Sequence, residues 1–171
     1  MKKMWLCLPI IAALSACAGS GAGGANAMAG AEAVLKATQG NSVAGSVVFR
    51  QEGNTLVVMT QASGLTPGAH GFHVHEFGDC SAPDASSAGG HFNPTGKPHG
   101  KPGQADSHAG DMPELVADAK GNARQMDRLT GVSVNDFIGK SVIIHAGRDD
   151  YKTQPTGNSG ARVACGVIAA K

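Results

Sequence analysis

His73 and His75 lie two residues apart, and His91, His99, His108 and Asp111 follow within a span of 21 residues. Positions i and i+2 of an extended strand leave the same face, so His73 and His75 can reach a single ion. Three imidazoles and a carboxylate can close a tetrahedron around zinc. His145 ends an apolar run, SVIIH, and adds a further imidazole. Imidazole nitrogens in a flattened arrangement suit copper, whereas three histidines with an aspartate suit zinc, so the chain can build two chemically distinct sites.

The elements that must position these side chains read as short strands. The 171 residues are 42% apolar, 16% charged and 4% aromatic, which suits one domain with its own core. The 25 Gly and 8 Pro show no three-residue period and sit among enough Val, Ile and Leu to exclude collagen and disorder. Val43 to Arg50 and Thr55 to Thr60, with Glu52, Gly53 and Asn54 between them, read as a hairpin. A turn at Thr66 to Gly68 precedes a strand through Phe72 and Val74. Leu115 to Ala119 and Ala123 to Asp127 flank a turn at Lys120 to Asn122, and Ser141 to His145 and Val163 to Ala169 are further strands. This spacing predicts an antiparallel sandwich or barrel, with one short helix at Val134 to Ile138. Phe77 to Pro113 breaks the pattern: 37 residues with seven Gly and five Pro cannot bury a core of their own. Metal coordination and a disulfide are the means that order such a segment.

Residues 1–17 read as a secretory signal: Lys2 and Lys3, an apolar stretch from Trp5 to Ala13, then small residues. That stretch is about half the roughly 20 residues that a membrane-spanning helix needs. Leu14, Ser15, Ala16 and Cys17 resemble a bacterial lipobox, in which Cys17 is acylated; cleavage after Ala27 is the alternative. Residues 18–30 are Ala and Gly at ten of thirteen positions and read as a flexible tether. Removing the leader takes away Lys2 and Lys3 and leaves 12 basic against 13 acidic residues, a balance that excludes a nucleic-acid partner. The domain from residue 31 to 171 then keeps Cys80 and Cys165, and a pair in an exported domain favours a disulfide over two buried thiols.

The strings GFHVHEFGD, GGHFNP, KPHG, HAGD, HAGRDD and GNSGARVACGV, in this order, resemble the copper,zinc superoxide dismutase family over nearly the whole chain from about residue 31. Enzymes of that family are general examples of the β-sandwich and of anion steering by charge. The resemblance implies an all-β fold, an eight-stranded antiparallel Greek-key sandwich or barrel with long metal-binding and electrostatic loops. It implies one copper and one zinc per chain and dismutation of superoxide to oxygen and hydrogen peroxide by alternating reduction and oxidation of the copper. Carried over by position, His73, His75, His91 and His145 become copper ligands, and His91, His99, His108 and Asp111 zinc ligands, with His91 shared. Asp149 matches the aspartate that accepts hydrogen bonds from a histidine of each site. Cys80 and Cys165 match the family disulfide. Arg162 matches the arginine beside the copper channel and, with His91, forms the catalytic pair. His70 matches a structural position and reads as a hydrogen-bonded turn residue.

Between Asp150 and Arg162 the segment YKTQPTGNSGA carries only Lys152 as a charge, where many eukaryotic relatives carry an acidic pair and a lysine. Lys97 or Lys101 could steer substrate instead. The cysteines and the insertion SAPDASSAG look more like bacterial members, whose subunit contacts differ from those of eukaryotic dimers, so monomer and homodimer both stay open; with the lipobox at Cys17 the expected location is the periplasm, anchored to a membrane by a lipid. A second reading is a non-catalytic exported copper- and zinc-binding protein of the same fold. A zinc hydrolase is a third, but it would need an open zinc position.

Overall fold

The computed structural model describes Met1 and residues 30–171, so the expected signal, Cys17 and nearly all of the expected tether lie outside the described residues. Ten strand segments follow in chain order: β1 (Gly30–Ala37), β2 (Ala44–Glu52), β3 (Thr55–Ser63), β4 (Gly68–His70), β5 (Phe72–His75), β6 (Leu115–Ala117), β7 (Ala123–Thr130), β8 (Ser141–His145), β9 (Arg162–Val167) and β10 (Ala169–Ala170). The main sheet runs β5-β8-β9-β1-β2-β3-β7, with β10 beside β1 and with β4 and β6 as a separate pair. Every pairing is antiparallel. Only Gly71 parts β4 from β5, and only Ile168 parts β9 from β10, so the ten segments form eight strands with Greek-key connections.

Alternation along each strand builds the core. In β1, Ala31, Ala33 and Leu35 are buried, whereas Val34 and Lys36 face out; in β2, Val47 and Phe49 point inward. Each fully buried large aliphatic or aromatic side chain stabilises by about 1.5–3 kcal/mol. The Gln125 side chain of β7 closes the seam to β6, accepting from the Val116 N–H (3.3 Å) and donating to the Glu114 carbonyl (3.0 Å). The one α-helix among the described residues, α1 (Val134–Phe137), buries Val134 and Phe137 and stops one residue short of the expected Ile138. Its start is held by Asp136, which accepts from the Ser133 N–H at 2.7 Å.

Two strands carry the histidines on a face that is not the core. Phe72 and Val74 of β5 join the main core, so His73 and His75 leave the opposite face by the period of two. All of β8 is buried, because Val142 and Ile144 face that core while Ile143 meets Ala85, Ala88 and Cys165 on the other side. What covers this second face is the long loop from Phe77 to Pro113.

Candidate metal centre

The loop is ordered by contacts with the sheet rather than by strands of its own. The Val74 N–H donates to the Gly110 carbonyl (2.8 Å), and the Val74 carbonyl accepts from the Phe92 N–H (2.8 Å). These bonds lay His91 beside His75 and Asp111 beside His73 as isolated bridges. Nearer the start of the loop, Cys80 is disulfide-bonded to Cys165 of β9, with Cα atoms 5.8 Å apart. Ala85 and Ala88 pack on that side against Ile143 and Cys165, which places the carbonyls of Ala85 and Gly89. Arg162 donates to both, at 2.6 Å each. The Gly89 carbonyl also accepts from His75 Nδ1 (3.0 Å), so the half-buried guanidinium is tied to the same atom as a site histidine.

Six histidines and Asp111, all buried, meet here in two groups. His73, His75, His91 and His145 form the first, and His91, His99, His108 and Asp111 the second; within each group the ligand atoms lie within 4.8 Å of one another. A third set, His73, His99 and Asp149, overlaps both.

The hydrogen-bond partners decide which nitrogen of each ring is free. A carbonyl or carboxylate oxygen only accepts, so the ring nitrogen facing it carries the hydrogen. His75 Nδ1 therefore donates to the Gly89 carbonyl and His145 Nδ1 to the Gly160 carbonyl (3.2 Å). That leaves the two Nε2 atoms, 3.4 Å apart, as lone pairs facing each other, a contact that repels unless a cation lies between them. His73 Nε2 donates to Asp149 Oδ2 (2.7 Å), which frees its Nδ1. His73 Nδ1 and His91 Nε2 are both buried without a partner among the described residues. Four nitrogens thus converge with no protein hydrogen to satisfy them, and the donor set fits a metal ion that accepts nitrogen ligands.

In the second group, Asp111 Oδ1 lies 3.0 Å from His91 Nδ1, 3.0 Å from His99 Nδ1 and 3.2 Å from His108 Nδ1. Its Oδ2 accepts the main-chain N–H groups of Gly100 (3.2 Å) and His108 (2.9 Å), which holds Oδ1 toward the three rings. Three nitrogens and one oxygen match the tetrahedral set that zinc takes. His91 contributes one nitrogen to each group. Asp149 joins them from outside, accepting from His73 on one oxygen and from His99 Nε2 on the other (2.9 Å).

Burial pushes His73 down to about 4 against the hydrogen bond to Asp149, takes His145 down to about 3, and holds His75 well below the ordinary histidine value. Burial lowers His108 as well. Burial would raise the Asp111 and Asp149 carboxyls, but the hydrogen bonds from His91 and His99 to the first, and from His73 and His99 to the second, keep both far below the usual range. His99 is raised to about 9: burial opposes this, and the bonds to Asp111 and Asp149 prevail. The two effects bend the stability of the metal-free protein in opposite directions. Between the ordinary value of 6.5 and about 4, the unfolded chain binds more protons at His73 and His145 than the folded one, so stability falls as pH drops. His99 contributes stability that is complete below 6.5 and lost as pH rises through about 9. Denaturant unfolding of the metal-free protein is expected to show maximal stability near pH 6.5, with the steeper decline on the acid side. A flat profile between pH 4 and 6.5 contradicts neutral buried histidines.

The structure brings every histidine singled out for a metal into one of the two groups and leaves His70 apart. His70, expected in a turn, instead ends β4 opposite Leu115, and it is hydrogen-bonded as expected: its ring bridges the carbonyls of His145 (2.7 Å, Nδ1) and Thr66 (2.8 Å, Nε2). A concavity of about 750 Å³ touches the back of the second group through His108 and Asp111 and includes none of the other site histidines. Two residues were not legible as part of the site: Glu114, which accepts from the Asp149 N–H (2.9 Å), and Gln154, which bonds the main chain of His99. The one signal near them was the unusual segment after Asp150.

The family described as copper/zinc superoxide dismutase (SODC) matches residues 43–168. The chain is 40% identical over 149 residues to the extracellular superoxide dismutase [Cu-Zn] of Brugia pahangi, covering 80% of this chain and 74% of that protein. It is 42% identical over 147 residues to superoxide dismutase [Cu-Zn] 2 of Aquifex aeolicus (strain VF5), covering 81% and 85%. Superoxide dismutase [Cu-Zn] 1 of the same organism is 41% identical over 133 residues, covering 72% and 79%.

Proposed function

The chain belongs to the copper/zinc superoxide dismutase family, and from that membership and the site we infer an oxidoreductase that dismutates superoxide to oxygen and hydrogen peroxide with one copper and one zinc per chain. The observation that carries this reading is the two-sided placement of His91, with Nε2 in one group and Nδ1 in the other. We propose His73, His75, His91 and His145 as the copper ligands and His91, His99, His108 and Asp111 as the zinc ligands. Copper supplies the one-electron redox chemistry, while zinc, which has none, supplies charge and anchorage for the loop.

The chain's own groups do the rest. His91 Nε2 has no partner among the described residues, so it is the atom that can release and take up a proton, while the contacts of Nδ1 with Asp111 keep the ring in place. A ring facing cations on both sides gives up both of its hydrogens more readily than one facing a single cation. Asp149 fixes the orientation of His73 and His99 at once, and such partners are worth about 10 to 100-fold in metal affinity or activity. Burial of the rings keeps bulk water off them. Arg162 offers an approaching anion a permanent charge with several donors, held still by Ala85 and Gly89.

Arg162→Gln is expected to lower the rate by about tenfold at low ionic strength and to flatten its dependence on salt, since this family is itself a general example of anion steering. Stopped-flow decay of superoxide over a salt series measures both, and an unchanged rate and slope would move the steering role to other basic residues such as Lys97 or Lys101. The whole reading is tested on protein purified from cells supplied with both ions. Expected are one copper and one zinc per chain together with consumption of superoxide; both metals without that consumption would mean a storage protein.

We also propose export to the periplasm with a lipid on Cys17. The leader sequence, the disulfide between Cys80 and Cys165 and the name of the extracellular relative support this reading. Mass measurement of the mature N-terminus separates acylation at Cys17 from cleavage after Ala27.

A further inference from the structure

The segment after Asp149 is a tight turn held by its own side chains. Asp150 Oδ1 accepts the N–H groups of Lys152 (2.9 Å) and Thr153 (2.8 Å), and the Asp150 N–H donates to the Gly157 carbonyl (2.9 Å). Gly157, at φ +65°, lies so close to Asp149 and His99 that a Cβ there would collide with Asp149 Oδ1.

Out of this turn Gln154 reaches the other loop. Its Oε1 accepts from the His99 N–H at 2.8 Å, and its Nε2 donates to the His99 carbonyl at 2.8 Å and to the Lys152 carbonyl at 3.2 Å. One side-chain amide thus pairs with both main-chain groups of a single residue, as an adjacent strand would. His99 lies outside every strand, and Gln154 supplies the hydrogen bonds of its main chain. The ring of His99 is in turn suspended between Asp111 (3.0 Å) and Asp149 (2.9 Å), so a small rotation of its backbone would break both contacts.

We propose that Gln154 is a positioning residue of the zinc site, holding His99 in place between Asp111 and Asp149 although 55 residues separate it from His99. This rests on the assignment of His99 as a zinc ligand. It makes no use of direct contact with metal or substrate, and it gives the segment after Asp150, whose one charge is Lys152, a task other than steering.

The test compares the parent with Gln154→Met, of similar length without polar groups, and Gln154→Glu, which keeps the acceptor for the His99 N–H. Zinc transfer to a chromophoric chelator and the absorption bands of cobalt(II) bound in place of zinc are measured on the full chain. Gln154→Met is expected to give up zinc about tenfold more readily and to alter the cobalt bands, with Gln154→Glu intermediate. The unfolding midpoint should fall mainly in the zinc-loaded form and little in the metal-free form. Parent-like retention and cobalt bands in both variants overturn the proposal. So does an equal fall in both forms, which marks a purely structural contact. Should Gln154→Met not fold, Gln154→Glu carries the same comparison alone. If the parent itself takes up no zinc, the ligand assignment fails, and that result is read independently of the variants.

Discussion

His145→Ala is expected to reduce superoxide consumption to that of the metal-free protein while the variant still carries one zinc per chain. His145 supplies a nitrogen to the first group and none to the second, so only the proposed copper site loses a ligand. The fold should persist. The His145 main chain keeps its bonds, accepting from His70 and donating to the Gly71 carbonyl at 2.9 Å. With the ring go the hydrogen bond to the Gly160 carbonyl, a loss of about 1 kcal/mol, and its packing against the rings of His73, His75 and His91. Metal analysis, a superoxide assay and denaturant unfolding on one preparation check the three parts together. Retained activity would remove the first group from the chemistry, and simultaneous loss of zinc would mean that the two groups are not separable.

A second large effect is expected from the disulfide. Cys80 and Cys165 are 85 residues apart, and closing a loop of that length restricts the unfolded chain by about 4 to 5 kcal/mol in the chain-entropy view. The double variant Cys80→Ser, Cys165→Ser, studied without metal so that ligand binding does not mask the difference, should lose stability of that order in denaturant unfolding. Activity of the metal-loaded variant should fall too, because the disulfide and its small apolar cluster hold the two carbonyls that fix Arg162. A loss below about 1 kcal/mol would show that the Gln39 N–H to Pro83 carbonyl bond (2.8 Å) and its neighbours already hold the loop.

The parts of the fold and site that could be read in the residues are those with local periodicity. The period of two at His73 and His75 placed both on one face, and Ser141–His145 is a strand with the expected bounds. Strand ends were less legible, because contacts from afar set them. Val163 to Ala169 divides at Ile168, whose N–H leaves the ladder to donate to the Lys140 carbonyl (2.9 Å) while its side chain is buried. The strand expected to reach Ala119 stops at Ala117, where Asp118 turns the chain by accepting the N–H groups of Lys120 (2.8 Å) and Asn122 (2.9 Å). The role of Glu114 left no local pattern, and that of Gln154 none beyond the unusual segment in which it lies. Each acts through a side chain on a main-chain group 35 or 55 residues away, and such pairings become visible only once the sheet has brought the two loops together.

Anomalous diffraction at the copper and zinc absorption edges, on crystals of protein loaded with both ions, asks directly whether one ring serves two metals. Expected are two separate peaks on opposite sides of His91, copper among His73, His75 and His145, and zinc among His99, His108 and Asp111. Both metals in one group, or a His91 ring that meets only one of them, would contradict it.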